Sequence, residues 1–227
     1  MITIGHLELG KCPCVAGVVD GILLLDDLLD LKKKGLALIE IRADLMEKPL
    51  ECVVRYVADV KTAVGLPMIG TVRENDRTRG KRREIFTALI PLIDCVDIEL
   101  GAPDAAGIAE LALSQGKTLL VSEHDFEKTP DDQALQSIVD RALGQGAQIV
   151  KVVTTAKTED DAWRLLRFAR ECNTPIVAFA MGAAGSFSRI KAGEYGSLFT
   201  YGYIGKAVAP GQLSAEELLK SANVPSE

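Results

Sequence analysis

Short runs of aliphatic and β-branched residues recur along the chain, separated by stretches whose apolar positions fall at helical spacing. The apolar runs predict strands over residues 13–18, 37–41, 68–72, 96–100, 118–122, 148–153, 175–181 and 197–201. A further strand, or a short hairpin arm, is expected before them over 2–9. Helices are expected over 50–64, 82–92, 104–115, 131–144 and 158–171. Asp104, Asp131 and Thr158 stand where helix starts are expected, and Gly116 and Gly146 where helices should stop. Lys32-Lys33-Lys34 reads as a solvated helix end.

Strands that alternate with helices argue for a parallel sheet. Eight strands close a (β/α)8 barrel, whereas an open doubly wound sheet usually has fewer. No linker rich in Pro, Ser or Gly divides the chain. The expected fold class is therefore α/β, a (β/α)8 TIM barrel with an N-terminal strand or hairpin arm, in a single domain over 1–227.

Composition removes several classes of function. With 48% apolar and 26% charged residues, 227 residues can bury a substantial core. A formal charge of −6 leaves no broad basic footprint, so no nucleic-acid partner is expected. No apolar stretch reaches the ~18 residues of a membrane span, so no membrane partner is expected either. Five cysteines and two histidines show no paired ligand spacing, and no metal is expected. Met1 leads into Ile-Thr-Ile-Gly-His, which is not the basic and then apolar pattern of a signal peptide. The expected setting is cytoplasmic, with reduced thiols.

Charges interrupt strands that a barrel core should keep apolar. Alternation puts Glu40, Arg42 and Asp44 of Ile39-Glu40-Ile41-Arg42-Ala43-Asp44 on one face. The third strand ends Thr71-Val72-Arg73, the fourth reads Val96-Asp97-Ile98-Glu99-Leu100, and the fifth runs into Ser122-Glu123-His124-Asp125-Phe126. Lys151 interrupts Ile149-Val150-Lys151-Val152-Val153. Each cluster lies toward the C-terminal end of its strand, the rim where barrel enzymes place their chemistry.

Two of these residues suggest a reaction. Lys151 either pairs with Glu99 or Glu40 as a structural ion pair, or serves as an amine able to form a Schiff base with a ketone. His124 is either a satisfied strand-end histidine or the group that shuttles a proton near neutral pH. After the seventh strand, Gly182-Ala183-Ala184-Gly185 lacks the three-glycine dinucleotide pattern, so hydride chemistry is not indicated. That loop can receive an anion, and Arg189 beyond it offers a planar fork for a carboxylate. Ala209-Pro210-Gly211-Gln212 reads as a turn-rich loop, either a surface turn or a lid.

In this order and spacing the motifs resemble type I 3-dehydroquinate dehydratase, over nearly the whole chain from the second strand to Gln212. The resemblance implies a barrel that dehydrates 3-dehydroquinate to 3-dehydroshikimate in the shikimate pathway, with no metal and no organic cofactor. It implies catalytic roles for Lys151, which condenses with the ketone, and His124, which moves the proton. It implies substrate-binding roles for Glu40, Arg42 and Arg73 toward ring hydroxyls, Arg189 toward the carboxylate, and Gln212 from the lid. A homodimer is compatible with it, although no exposed patch is legible from sequence.

Two positions depart from that family. A Glu-Gly-Gly that usually follows the third-strand arginine, its Glu partnering the histidine, is replaced by Glu74-Asn75-Asp76-Arg77-Thr78-Arg79-Gly80. Either Glu74 or Asp76 substitutes, or His124 works without that partner. The serine that usually precedes Ala-Pro-Gly-Gln is Val208 here. The competing readings are a class I Schiff-base aldolase acting on a sugar phosphate and a non-catalytic ligand-binding paralogue.

Overall fold

A computed structural model describes residues 2–205, 207 and 212–222. Eight parallel strands form a nearly closed barrel: β3 (Val15–Val19), β4 (Leu38–Arg42), β5 (Met68–Thr71), β6 (Cys95–Glu99), β7 (Thr118–Asp125), β8 (Ile149–Thr155), β9 (Ile176–Met181) and β10 (Thr200–Tyr203). Neighbours in sequence pair from β3 to β9, and β10 returns to pair with β3. A hairpin of β1 (Thr3–Ile4) and β2 (Leu7–Glu8) precedes them, as the pattern at 2–9 predicts. The helices are α1 (Leu25–Lys33), α2 (Leu50–Ala63), α3 (Arg82–Leu89), α4 (Ala105–Ser114), α5 (Asp132–Gly144), α6 (Glu159–Glu171), the short α7 (Ser188–Lys191) and α8 (Ala215–Ala222). No described helix is long and apolar enough to cross a membrane.

Strand alternation separates two cores. Ile39, Ile41, Val96, Ile98, Val150 and Val152 face outward and bury against the helices. The opposite positions fill the barrel with Cys14, Ala16, Leu38, Ile69, Cys95, Leu120, Ile149 and Val177. Ile4 and Leu9 of the hairpin arm join this inner cluster and plug the N-terminal end of the barrel. Thr118 Oγ1 ties the arm down by donating to the Thr3 carbonyl at 2.9 Å. With that end sealed by apolar side chains, the charged inward positions of the same strands gather near the other end.

The helix starts differ in mechanism. Asp131 accepts from Ala134 N–H, and Thr158 forms a reciprocal capping box with Asp161. Asp104 stands at the N-cap of α4 but makes no cap bond; its carboxylate accepts from Arg82 instead. The eighth strand, expected over 197–201, begins at Thr200, because Ser197 N–H first closes a turn onto the Ala192 carbonyl. The fifth, expected to end at 122, continues to Asp125 and carries His124 within it.

The last seam is closed differently. Along β9, Ala178 N–H donates to Ser197 Oγ at 3.0 Å and Ala180 N–H to Ser188 Oγ at 2.7 Å. Opposite them, the Phe199 carbonyl accepts from Ser197 Oγ and the Tyr201 carbonyl from Arg189 Nη1. Side chains thus satisfy backbone groups that a regular ladder would pair.

Candidate active site

A cavity of about 460 Å³ opens at the C-terminal end of the barrel. Its walls include Glu40, Arg42, Arg73, His124, Lys151, Arg189 and Gln212, so the fold brings together the seven residues for which the family resemblance implies catalytic or substrate-binding roles. Val208 and residues 209–211 lie outside the described residues, so the structure gives no account of the valine departure.

The floor is an ion-paired layer centred on Asp97, which is fully buried. Asp97 accepts from Arg73 Nη2 at 2.8 Å, from Ser122 Oγ at 2.7 Å and from Lys151 Nζ at 3.1 Å. Lys151 Nζ also lies 3.5 Å from Glu40, whose Oε1 accepts from Thr71 Oγ1 at 2.9 Å. Of the two partners expected for Lys151, Glu40 is present and Glu99 is not. Glu99 is instead held between Arg73 at 3.2 Å and Arg82 at 2.6 Å. Burial alone would raise the Asp97 carboxyl; Arg73, Lys151 and the Ser122 hydrogen bond together hold it well below the usual carboxylate range.

His124 lines the cavity one strand away from Lys151. Burial first, and then the Arg73 and Lys151 cations, hold its imidazole well below the ordinary value. Its ring is therefore neutral near pH 7, with an acceptor nitrogen available for a proton. Phe126, 74% exposed at the mouth, stacks on it with centroids 6.0 Å apart and planes 16° from parallel. Neither expected substitute for the missing glutamate serves His124. Glu74 and Asp76 both pair with Arg79 at the surface, because the 74–80 segment folds back on itself through Asn75 and Thr78. Arg77 of the same segment donates to the Asp44 and Met46 carbonyls.

Arg42 forks onto Asp44, with Nε and Nη2 at 3.0 and 2.7 Å from its two oxygens. Arg189 is different. It is 3% exposed, makes no ion pair among the described residues, and leaves Nε without a hydrogen-bond partner. Its Nη1 donates to the Tyr201 carbonyl at 3.1 Å and its guanidinium lies 4.3 Å over the Phe179 ring. Burial with no compensating anion pulls its pKa down to about 10. A buried guanidinium of this kind is a receptor for an anion.

Three contributors had no role assigned from sequence. Asp97 is the nearest partner of Lys151, and the alternation of Val96-Asp97-Ile98-Glu99 already marked it as inward-facing. Tyr201 places its ring 4.0 Å from Lys151 Nζ. Arg82 sits on an outer helix, where no periodicity distinguishes a buried arginine from a solvated one. Among the described residues, no group of three or more His, Cys, Asp or Glu is placed to hold a metal ion.

The comparisons with known proteins agree with this geometry. A family profile described as Type I 3-dehydroquinase matches residues 20–226. A 3-dehydroquinate dehydratase from Methanosarcina barkeri is 37% identical, over 97% of this chain and 98% of that protein. The crystal structure of the 3-dehydroquinate dehydratase from Aquifex aeolicus VF5 superposes with a TM-score of 0.79 at 28% identity, covering 92% of this chain and 97% of that one. The enzyme of that name from Geobacillus kaustophilus HTA426 shares the fold, with a TM-score of 0.85 at 24% identity over 97% and 94% of the two chains. Profile, relatives and barrel all lead to one assignment: this chain belongs to the type I 3-dehydroquinase family.

Proposed function

We propose that this chain removes water from 3-dehydroquinate to give 3-dehydroshikimate through a Schiff base on Lys151. One observation carries the reading. An amine, an imidazole held well below its ordinary pKa and a buried guanidinium with no carboxylate partner among the described residues share one cavity. A hydroxylated ring that bears a ketone and a carboxylate matches all three.

The chemistry follows from those groups. Arg189 pairs with the substrate carboxylate, while Glu40, Arg42 and Arg73 meet ring hydroxyls and Gln212 covers the ligand. As one ammonium proton of Lys151 passes to the ketone oxygen, its nitrogen attacks the carbonyl carbon; a second nitrogen proton moves to the resulting hydroxyl, which leaves as water to give a protonated iminium. The iminium withdraws electrons from the adjacent carbon, whose proton passes to His124. The resulting enamine expels the hydroxyl one carbon further on, with His124 returning the proton so that water leaves. Hydrolysis of the iminium consumes one water, frees Lys151 and leaves a net loss of one water. The five free cysteines suit a cytoplasmic setting.

Mixing the protein with 3-dehydroquinate should produce the ultraviolet absorbance of a conjugated enone. Borohydride added during turnover should leave a mass adduct on the peptide containing Lys151, absent from Lys151→Ala. A binder would give no absorbance, and a retro-aldol enzyme would give a cleaved product instead. An adduct on another lysine would remove Lys151 from its role.

A further inference from the structure

Tyr201 contacts both cationic groups on which the proposed reaction depends. Its ring centroid is 4.0 Å from Lys151 Nζ, and its backbone carbonyl accepts from Arg189 Nη1 at 3.1 Å. The residue is 3% exposed, and its hydroxyl has no hydrogen-bond partner among the described residues. Buried tyrosines usually find a partner for that hydroxyl. What this side chain offers Lys151 is its ring face. Tilted contacts fix the ring in place, with Phe199 at 5.4 Å and Phe179 at 5.9 Å between centroids. Phe179 in turn lies under the Arg189 guanidinium.

We infer that Tyr201 is a further catalytic residue, whose ring face holds the cationic nitrogen of Lys151 as ammonium and then as protonated iminium. This rests on the Schiff-base reading of Lys151. No bond to Tyr201 forms or breaks. The iminium draws electrons from the neighbouring carbon only while its nitrogen keeps the proton. An aromatic face attracts a cation through its quadrupole and adds no formal charge. Asp97 and Glu40 already supply two carboxylates within 3.1 and 3.5 Å. A third would be a further base competing for that proton. The ring stabilises the cation without accepting its proton. Among the described residues, the other ionisable groups that interact electrostatically with this nitrogen are Cys95 of β6 and His124 of β7, with Arg73 and Arg42 acting through Asp97 and His124.

The test compares wild type, Tyr201→Phe and Tyr201→Leu by borohydride trapping with 3-dehydroquinate, by the pH profile of kcat, and by thermal melting. Tyr201→Phe keeps the ring, so kcat and the alkaline limb should stay near wild type, and Tm should rise as an unpartnered buried hydroxyl is removed. Tyr201→Leu should lower kcat and move the alkaline limb down by about 0.4–1.5 pH units, the strength of a desolvated cation–π contact. Tyr201→Met serves the same purpose should the leucine variant fail to fold. An unmoved limb in both ringless variants would overturn the inference. So would a loss of about tenfold in Tyr201→Phe, the scale of a hydrogen bond, since the hydroxyl would then be the working part. No adduct on Lys151 in wild type would overturn this inference and the Schiff-base reading together. A wild-type adduct with an unmoved limb would overturn only the role of the ring.

Discussion

Asp97→Asn keeps the shape of the side chain and removes one negative charge from the floor of the cavity. The carboxylate holds Arg73, just beyond β5, and Lys151 of β8, with Ser122 as a third donor. An amide presents one acceptor oxygen and an NH2 group that would meet a cation or a donor. Breaking a buried ion pair by removing one partner costs about 3–5 kcal/mol. Here Arg73 keeps Glu99 at 3.2 Å and Lys151 keeps Glu40 at 3.5 Å. The lower end, about 3 kcal/mol, is therefore expected at pH 7. For a chain of this length that corresponds to roughly 6–12 °C in Tm.

The pH dependence makes the prediction specific. Asp97 is held far below the unfolded carboxyl value of about 3.9, so its contribution is fully present above that value and declines as pH falls through it. Every other carboxylate is common to the two proteins. Urea denaturation of both should show a constant gap from pH 7 to 5. Below about pH 4 the gap should narrow by up to ~1.4 kcal/mol per pH unit. A gap that persists unchanged to pH 3, or one under ~1 kcal/mol at pH 7, would refute the account of Asp97 as the charge joining the two cations.

Other expectations follow from the same geometry. His124→Ala should still form the trapped Lys151 adduct while kcat falls by about 10²–10⁴-fold; near-normal turnover would move the proton transfer to another group. Because the imidazole is held well below 6.5, the acid limb of wild-type kcat/KM should lie well under that pH and should vanish in this variant. Arg189→Lys keeps a charge but loses the fork, so KM should rise, and Arg189→Ala should raise it further. An analogue lacking the carboxylate that bound wild type as tightly as substrate does would contradict this. Gly202→Ala would place a Cβ 2.5 Å from the Ala215 backbone, where α8 meets β10. Overpacking of this kind costs about 1–3 kcal/mol, so a melt should drop by several degrees; an unchanged Tm would show that α8 can retreat freely.

The barrel was legible in the sequence because its signals are local. Branched apolar runs alternating with helical periodicity define the strand count, and strand alternation alone puts Glu40, Arg42 and Lys151 on the inward face. Asp131 and Thr158 mark helix starts because a cap acts within three residues. Pairing across the barrel is not local. Lys151 meets Asp97 and Glu40 rather than Glu99 because the register and closure of eight strands decide which inward charges share a level. Arg82 reaches Glu99 from an outer helix, and Asp104 leaves its cap to meet it. Glu74 and Asp76 turn away from His124 because their own segment satisfies them at the surface. Tyr201 meets Lys151 because the closing barrel brings β10 round to the far side of β9 from β8, a neighbourhood that no local pattern specifies. Sequence determines which face each charge occupies; only the closed barrel determines what that charge meets there.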